Sequence, residues 1–309
     1  MDSRQLRYFA AIFEARSLSR ASEALHIAPS ALSHHLANLE EELATALFVR
    51  KPRGMQPTAA GERLFEHARG ILRAIASAER DVRDAGREIS GEVAVGMAFS
   101  AVKTIGVPLL EKVACDYPKL RLALSESLSG ATLMELMASE IDLAMVYNPP
   151  LDPRLRSRPL LEERMVCIGR ADVIGEADAP LAFDDLLDLP IILLRRGLPA
   201  RAIVDDATLL KKLEARARLH LNSVQAITGS LLAGLGCVIA TRHLMREHLE
   251  AGRLNARPII APELFRTLCL CELSERPATY ARETVRQLLV NFVLDAIARG
   301  LWDARAIED

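Results

Sequence analysis

Side chains able to do chemistry gather in two stretches of this chain. The first carries Ser30, Ser33, His34 and Asn38 at spacings that share a helix face, followed by Arg50, Lys51 and Arg53. Short donors and acceptors on a helix can approach base edges and phosphates closely, and a basic cluster beside them can hold a phosphate backbone in register. The second stretch carries Ser100 and Ser129, each just after a strand-like run, with Lys103 one turn beyond Ser100. A hydroxyl and helix N-terminal amides at such a junction can receive a carboxylate. Both stretches point to recognition rather than bond making.

The elements that must position these groups are legible in the apolar spacing. Leu6, Phe9, Ala10 and Phe13 predict an amphipathic helix over residues 3–15. A second helix follows with Ser19 as its N-cap, its inner face small and close-packing through Ala21, Ala24 and Leu25. Leu32, Leu36, Leu39 and Leu43 form one stripe of a third helix, and Pro29 suits its first turn, where a missing N–H costs nothing. Helices two and three read as a helix–turn–helix whose polar face carries the first set. Leu47 to Thr58 then reads as a strand, a basic turn and a second strand, which is a wing. Ser19, Arg20 and Pro29 complete the candidate DNA-facing residues.

From Thr58 a long helix is expected to about Glu88. Leu64, Ala68, Ile71, Ile75, Ala78, Val82, Ala85 and Ile89 alternate four and three apart, a heptad seam that wants a partner helix. Pairing of that kind lets two recognition helices meet two half-sites. At Ser90-Gly91 the pattern changes to strands alternating with helices, hence parallel βαβ units: strands at 93–98, 120–124 and 142–146, then a Pro-rich crossover at 148–153. Strands at 165–169, 191–194, 217–221 and 237–240 build a second lobe, with Ser223 capping a helix to Ala233. The strand 267–273 and the helix 280–298 return to the first lobe, leaving a cleft between two lobes as a ligand site. Arg195, Arg196 and Leu198 follow a second-lobe strand across that cleft.

Composition bounds the reading. The 309 residues are 50% apolar and 26% charged with a net charge of −2, so any nucleic-acid footprint must come from where charge is placed. Residues 1–60 hold seven Lys/Arg against six Asp/Glu, a balance of only +1. Five cysteines are scattered without a C-x-x-C pair, and four lie in apolar runs, as expected of buried structural thiols, with redox sensing as the alternative. Asp2, Arg4 and Arg7 interrupt any apolar leader, and no run approaches the ~20 apolar residues of a membrane span. A cytoplasmic protein is expected. An enzyme or a transport-type binding protein is the rival class. No H-E-x-x-H, G-x-S-x-G, P-loop or G-x-G-x-x-G fingerprint supports it, and Gly234-Leu-Gly236 precedes a strand instead of opening a helix. No catalytic residue, metal or cofactor is assigned.

Taken together, these residues resemble a LysR-type transcriptional regulator over nearly the whole chain. The specific part is Leu6-Arg-Tyr-Phe9, Arg16 to Leu25, Ala31-Leu-Ser33, Leu39-Glu40, Leu47-Phe-Val-Arg50 and Pro57 to Gly61. Looser similarity lies in Tyr117-Pro118, Ile141 to Ala144, Leu189-Pro190, Ala233 to Gly236 and Gly252-Arg-Leu254. Ser90-Gly-Glu-Val, Tyr147 and the Pro57-Thr58 wing are similar to the nitrogen-assimilation-control branch. The resemblance implies a mixed fold: an α-rich winged helix–turn–helix domain (1–58), a linker and dimerisation helix (59–89), and an α/β, two-lobed, periplasmic-binding-protein-like effector domain (90–309). Within the last, lobe I takes 90–160 and 267–309, and lobe II takes 161–266. It further implies double-stranded operator DNA, a small anionic metabolite as effector, contact with RNA polymerase, and a homodimer or homotetramer. The effector set is then Ser100, Lys103, Ser129, Tyr147, Arg196 and Leu198. Two departures bear on base preference: the family often has Gln at the start of the recognition helix, where this chain has Pro29, and Arg after the serine, where it has His34.

Overall fold

A computed structural model describes residues 1–51, 54–83, 89–194, 206–276 and 278–307. Its contacts divide into two compact units, Met1–Arg87 with Met137–Glu140, and Glu88–Leu136 with Ile141–Asp309.

The first unit begins with α1 (Ser3–Ala15), α2 (Leu18–Leu25) and α3 (Pro29–Glu42). Asp2 and Gln5 form a reciprocal capping box at the start of α1. The cap of α2 is Ser17, not Ser19: the Ser17 hydroxyl accepts from the Arg20 amide at 3.4 Å. Arg16, left-handed at φ 51°, ends α1 one residue earlier, so α2 starts sooner than the serine pattern implied. Ala24 is exposed, and Ala21 and Ser22 are the buried residues of α2. Leu32, Leu36 and Leu39 are buried as the stripe required, whereas Leu43 caps α3 and is exposed. Leu6, Phe9, Ile12 and the three leucines share a core with Leu47, Phe48, Met55 and Ala68.

The wing is an antiparallel pair, β1 (Phe48–Lys51) and β2 (Gly54–Pro57). It is anchored at both ends. Glu40, on α3, accepts from the Leu47 and Phe48 amides at 2.7 and 3.1 Å, and Met55 donates to the Arg16 carbonyl at 2.9 Å. Gly54 has φ +124°, and a Cβ there would sit 2.4 Å from that carbonyl, so only glycine closes this contact. Thr58 caps α4 (Ala59–Arg83): its hydroxyl donates to the Ala46 carbonyl and accepts from the Gly61 amide. The seam on α4 is partly spent within the unit, since Ala68 is buried and Leu64 packs beside it. Ile71 remains 40% exposed and Ala78 is exposed. Residues 84–88 lie outside the described part of the expected helix.

The second unit opens with β3 (Gly91–Ala98), a helical stretch α5 (99–116) containing a π-turn at Val102–Gly106, β4 (Leu120–Ser127), α6 (Ser129–Met137) and β5 (Leu143–Tyr147). β3 pairs in parallel with β4 and β5, as the βαβ pattern predicted. The crossover is longer than the expected strand at 165–169: β6 runs from Leu155 to Gly169. β7 (Leu181–Ala182), β8 (Ile192–Leu194), α7 (Ala207–Arg216), β9 (Leu219–Leu221), α8 (Val224–Leu232), β10 (Val238–Ala240) and β11 (Asn255–Ile260) follow. β12 (Leu264–Leu273), α9 (Tyr280–Ala298) and β13 (Arg305–Ala306) complete the order. The Ser223 hydroxyl caps α8 by accepting from Ala226, as expected.

β12 pairs antiparallel along its whole length with Leu155–Met165 of β6, and the two strands join two cores. One core gathers β3, β5, α9, Leu161 and Leu268; the other gathers Met165, Leu264, Phe183, Leu193 and Leu213. The passage from lobe to lobe therefore occurs between Leu161 and Met165 on one strand and between Leu268 and Leu264 on the other. The ladder register shifts beside it, between Leu268 and Cys269.

Candidate functional site

In the first unit, α3 presents Pro29, Ser30, His34 and Asn38 as exposed residues opposite its buried leucines. Glu40 fixes where β1 leaves α3, and two residues past Phe48 this brings Arg50 back over the helix. The Arg50 guanidinium (Nη2) donates to the Ser33 hydroxyl at 3.0 Å. Asn38 and His34 meet side chain to side chain at 3.3 Å, one turn apart. His35 turns inward and packs on Tyr8 with ring centroids 5.0 Å apart. Lys51, Ser19 and Arg20 are exposed, and Arg53 lies outside the described residues. The result is a helix face of small polar groups flanked by a wing guanidinium, which suits a duplex groove bordered by phosphates.

In the second unit, a cavity of about 110 Å³ lies between the lobes. On one side are Ser100, Ser127, Ser129, Tyr147 and Arg266; on the other are Met165, Ile192, Leu193, Val224, Ile227 and Ile239. Ser100 and Ser129 stand at the strand-to-helix junctions that the sequence placed there. The Ser100 and Tyr147 oxygens are 2.7 Å apart, and the Ser129 hydroxyl accepts from the Tyr147 amide at 3.1 Å. Burial pushes the Tyr147 hydroxyl above its ordinary range, so it remains protonated. Lys103 is elsewhere: its ammonium group sits 3.5 Å from Glu247 and 3.4 Å from the Leu244 carbonyl, bridging the lobes outside this cavity. Arg196 and Leu198 lie outside the described residues.

The cation on the cavity wall is Arg266. Its Nε donates to Glu163 at 2.8 Å, its guanidinium stacks 3.6 Å from the Tyr147 ring centroid, and Nη2 is 3.5 Å from both Ser100 and Thr241. Arg266 and Glu163 are directly opposed in the β12–β6 ladder, at the point where both strands pass between the lobes. Burial works against the guanidinium charge, but Glu163 and Tyr147 outweigh it and raise the affinity of Arg266 for its proton. Glu163 is fully buried and accepts a second bond from the Trp302 indole at 2.8 Å. Trp302 stacks on His243, and His243 meets Thr104 at 2.7 Å.

Comparison with known proteins places this geometry. The profile described as "Bacterial regulatory helix-turn-helix protein, lysR family" matches residues 3–62, and "LysR substrate binding domain" matches residues 86–293. The chain belongs to the LysR family. Among its relatives, the nitrogen assimilation regulatory protein nac is 30% identical in Klebsiella aerogenes and 31% in Escherichia coli K12, each over 95% of both chains. The transcriptional regulator BbuR of Bordetella bronchiseptica is 29% identical over 98% of this chain and 93% of its own. In fold, the chain is similar to a cysteine-to-aspartate variant of full-length OxyR from Pseudomonas aeruginosa (22% identity, 95% and 94% coverage, TM-score 0.70). It is also similar to CbnR complexed with its target DNA (20%, 96% and 100%, TM-score 0.61).

This LysR-family protein is therefore a DNA-binding transcriptional regulator with an effector-binding domain, and its relatives are regulators rather than enzymes. No described helix is long and apolar enough to cross a membrane. No His/Cys/Asp/Glu group able to hold a metal occurs among the described residues. Cys167, Cys237, Cys269 and Cys271 are buried, and burial pushes the last two thiols to about 12 and about 11, away from thiolate reactivity. Sequence reasoning missed Arg266, Glu163, Trp302 and His243. The available signal was a lone arginine inside the apolar run Leu264-Phe-Arg-Thr-Leu, a position where an unpaired charge would be costly.

Proposed function

We propose that this regulator works in the cytoplasm as a homodimer or homotetramer that grips operator DNA through residues 1–58. Residues 59–89 pair the protomers, and residues 90–309 bind a small anionic metabolite that changes the grip, with RNA polymerase the downstream partner. An effector shifts such an equilibrium only by binding two arrangements with different affinity. The observation that carries the DNA reading is the Arg50–Ser33 hydrogen bond, which puts a wing cation and a recognition-helix hydroxyl on one surface. Ser19, Arg20, Pro29, Ser30, Ser33, His34, Asn38, Arg50, Lys51 and Arg53 are the proposed contacts. The exposed Ile71 on the α4 seam supports pairing. For the effector, Ser100, Ser129 and Tyr147 supply the polar wall, with Arg266 added, and Arg196 and Leu198 remain proposed contacts from the sequence. Lys103 is proposed to hold the lobes together rather than to touch ligand.

The test is a mobility-shift assay on the gene's own promoter region across a salt series. Binding should weaken steeply with salt, and replacing Arg50, Lys51 and Arg53 with Ala should flatten that dependence. A shift that ignores salt, or one unchanged in the triple variant, would overturn the wing assignment.

A further inference from the structure

We infer that the effector is a compact monocarboxylate: one anionic head on the lobe I wall and a short apolar body against lobe II. This inference rests on the effector reading above and names its chemical class.

The head is set by donors. Ser129 has accepted from the Tyr147 amide, which leaves its own O–H free to donate. Arg266 has given Nε to Glu163, and Nη1 donates to no residue among those described. Ser100, Ser129 and Arg266 are all about nine-tenths buried, at 3%, 7% and 11% exposure. The first two amides of α6, on Ser129 and Gly130, have no intrahelical acceptor by helix geometry. A wall rich in buried donors calls for a group that only accepts, and a carboxylate offers two such oxygens.

The number of charges is set by Glu163. It already neutralises Arg266 in a directly opposed, buried pair, so one bound anion leaves the enclosed site with a net charge of −1. Hydroxyls, α6 amides and the shared guanidinium can stabilise that single charge. A second anionic group would add its charge beside a buried carboxylate, where like charges repel most strongly. The described lobe II side chains on the wall carry no charge to offset it: Met165, Ile192, Leu193, Val224, Ile227 and Ile239 are all apolar.

Size sets the body. An apolar cavity of about 150 Å³ holds one benzene, so about 110 Å³ accommodates a short branched chain. Glu163 is then a specificity-determining residue that acts through Arg266 and excludes doubly charged ligands.

The 309-residue chain carries a single tryptophan, Trp302, whose indole donates to Glu163, so its fluorescence reports on the pair. Titration is read by that fluorescence and by calorimetry, with butanoate, 3-methylbutanoate and 2-methylpropanoate set against succinate, isopropyl phosphate and 3-methylbutanamide. At least one monocarboxylate should bind tenfold or more tightly than every dianion and than the neutral amide. Glu163→Gln, checked for folding by circular dichroism, should narrow the gap to the dianions. Preference of the wild-type protein for succinate or isopropyl phosphate would overturn the class while leaving an effector cavity in place. A failure of all six to move Trp302 or release heat would overturn the class and the effector reading together. Loss of monocarboxylate binding in Arg196→Ala but not in Arg266→Met would overturn the assigned head site.

Discussion

Arg50 on the wing donates to the hydroxyl of Ser33 on the recognition helix, 17 residues earlier in the chain, at 3.0 Å. The bond makes the two proposed DNA contacts interdependent. Ser33→Ala removes one polar contact and also frees the guanidinium that Ser33 holds. Ser33→Ala should weaken operator binding about 5- to 30-fold while moving the melting temperature little, because the pair is on the surface. Arg50→Ala should reduce the salt slope by about one counterion. The double variant should lose less than the sum, by about 0.5–1.5 kcal/mol in a double-mutant cycle of operator affinity. Strict additivity would show that the bond does not position Arg50 for DNA.

Glu40 acts one step further back. One of its oxygens accepts both the Leu47 and Phe48 amides and so sets the direction in which β1 leaves the helix. Glu40→Ala would leave two part-buried amides without that acceptor, at a cost of about 1–3 kcal/mol. Chemical denaturation should show this loss, with a drop in operator affinity at temperatures where the variant is still folded. Glu40→Gln keeps an acceptor oxygen and should behave much closer to wild type. Equal losses for Ala and Gln would point to the charge rather than to the hydrogen bonds.

The linker helix gives a test of assembly. Ile71 lies on the heptad seam and is 40% exposed in a single chain, whereas Ala68, three residues earlier on the seam, is buried in its own unit's core. Ile71→Asp should therefore spare the fold of the monomer and act on pairing alone. Light scattering after size-exclusion chromatography should show the assembly shifting toward monomer, with operator binding weakened in parallel. An unchanged mass would remove this stretch of α4 from the interface.

How much of this was legible in the sequence follows the range over which each feature is decided. The recognition helix was readable because its stripe repeats within one helix, and even its error is local: Leu43 leaves the core because Ala44, at φ 49°, ends the helix there. The cap moved from Ser19 to Ser17 for the same kind of reason, the left-handed Arg16 before it. Ser100 and Ser129 were readable because a strand-to-helix junction announces itself in polarity. Arg266 and Glu163 were not, since they stand 103 residues apart and meet only through the register of two long strands. Lys103 had the expected position in sequence but found Glu247, a partner that only the closing of the second lobe supplies.

The remaining prediction concerns acid stability and depends on a tautomer. The Thr104 hydroxyl lies 2.8 Å from the Ser100 carbonyl, which can only accept, and 2.7 Å from Nε2 of His243; donation to the carbonyl assigns the imidazole proton to Nε2. Nδ1 is buried and has no hydrogen-bond partner. Protonation must therefore occur on Nδ1, where no acceptor waits. Burial holds the His243 pKa below its ordinary 6.5, with Arg246, Lys103 and Arg266 adding repulsion and Glu163 opposing them. Because the folded value lies below the unfolded one, the unfolded chain takes up the proton first as pH falls. The stability contributed by neutral His243 is thus complete above about pH 6.5 and is lost as pH drops through the folded value. Urea midpoints measured from about pH 7.5 down to about pH 5.5 should fall more steeply for wild type than for His243→Asn, whose amide can still donate to Thr104. The difference between the two curves removes the other six histidines from the comparison. Parallel curves would mean that His243 takes up its proton as readily in the folded chain as in the unfolded one, its site admitting a partner for Nδ1, and that result would sink the assignment.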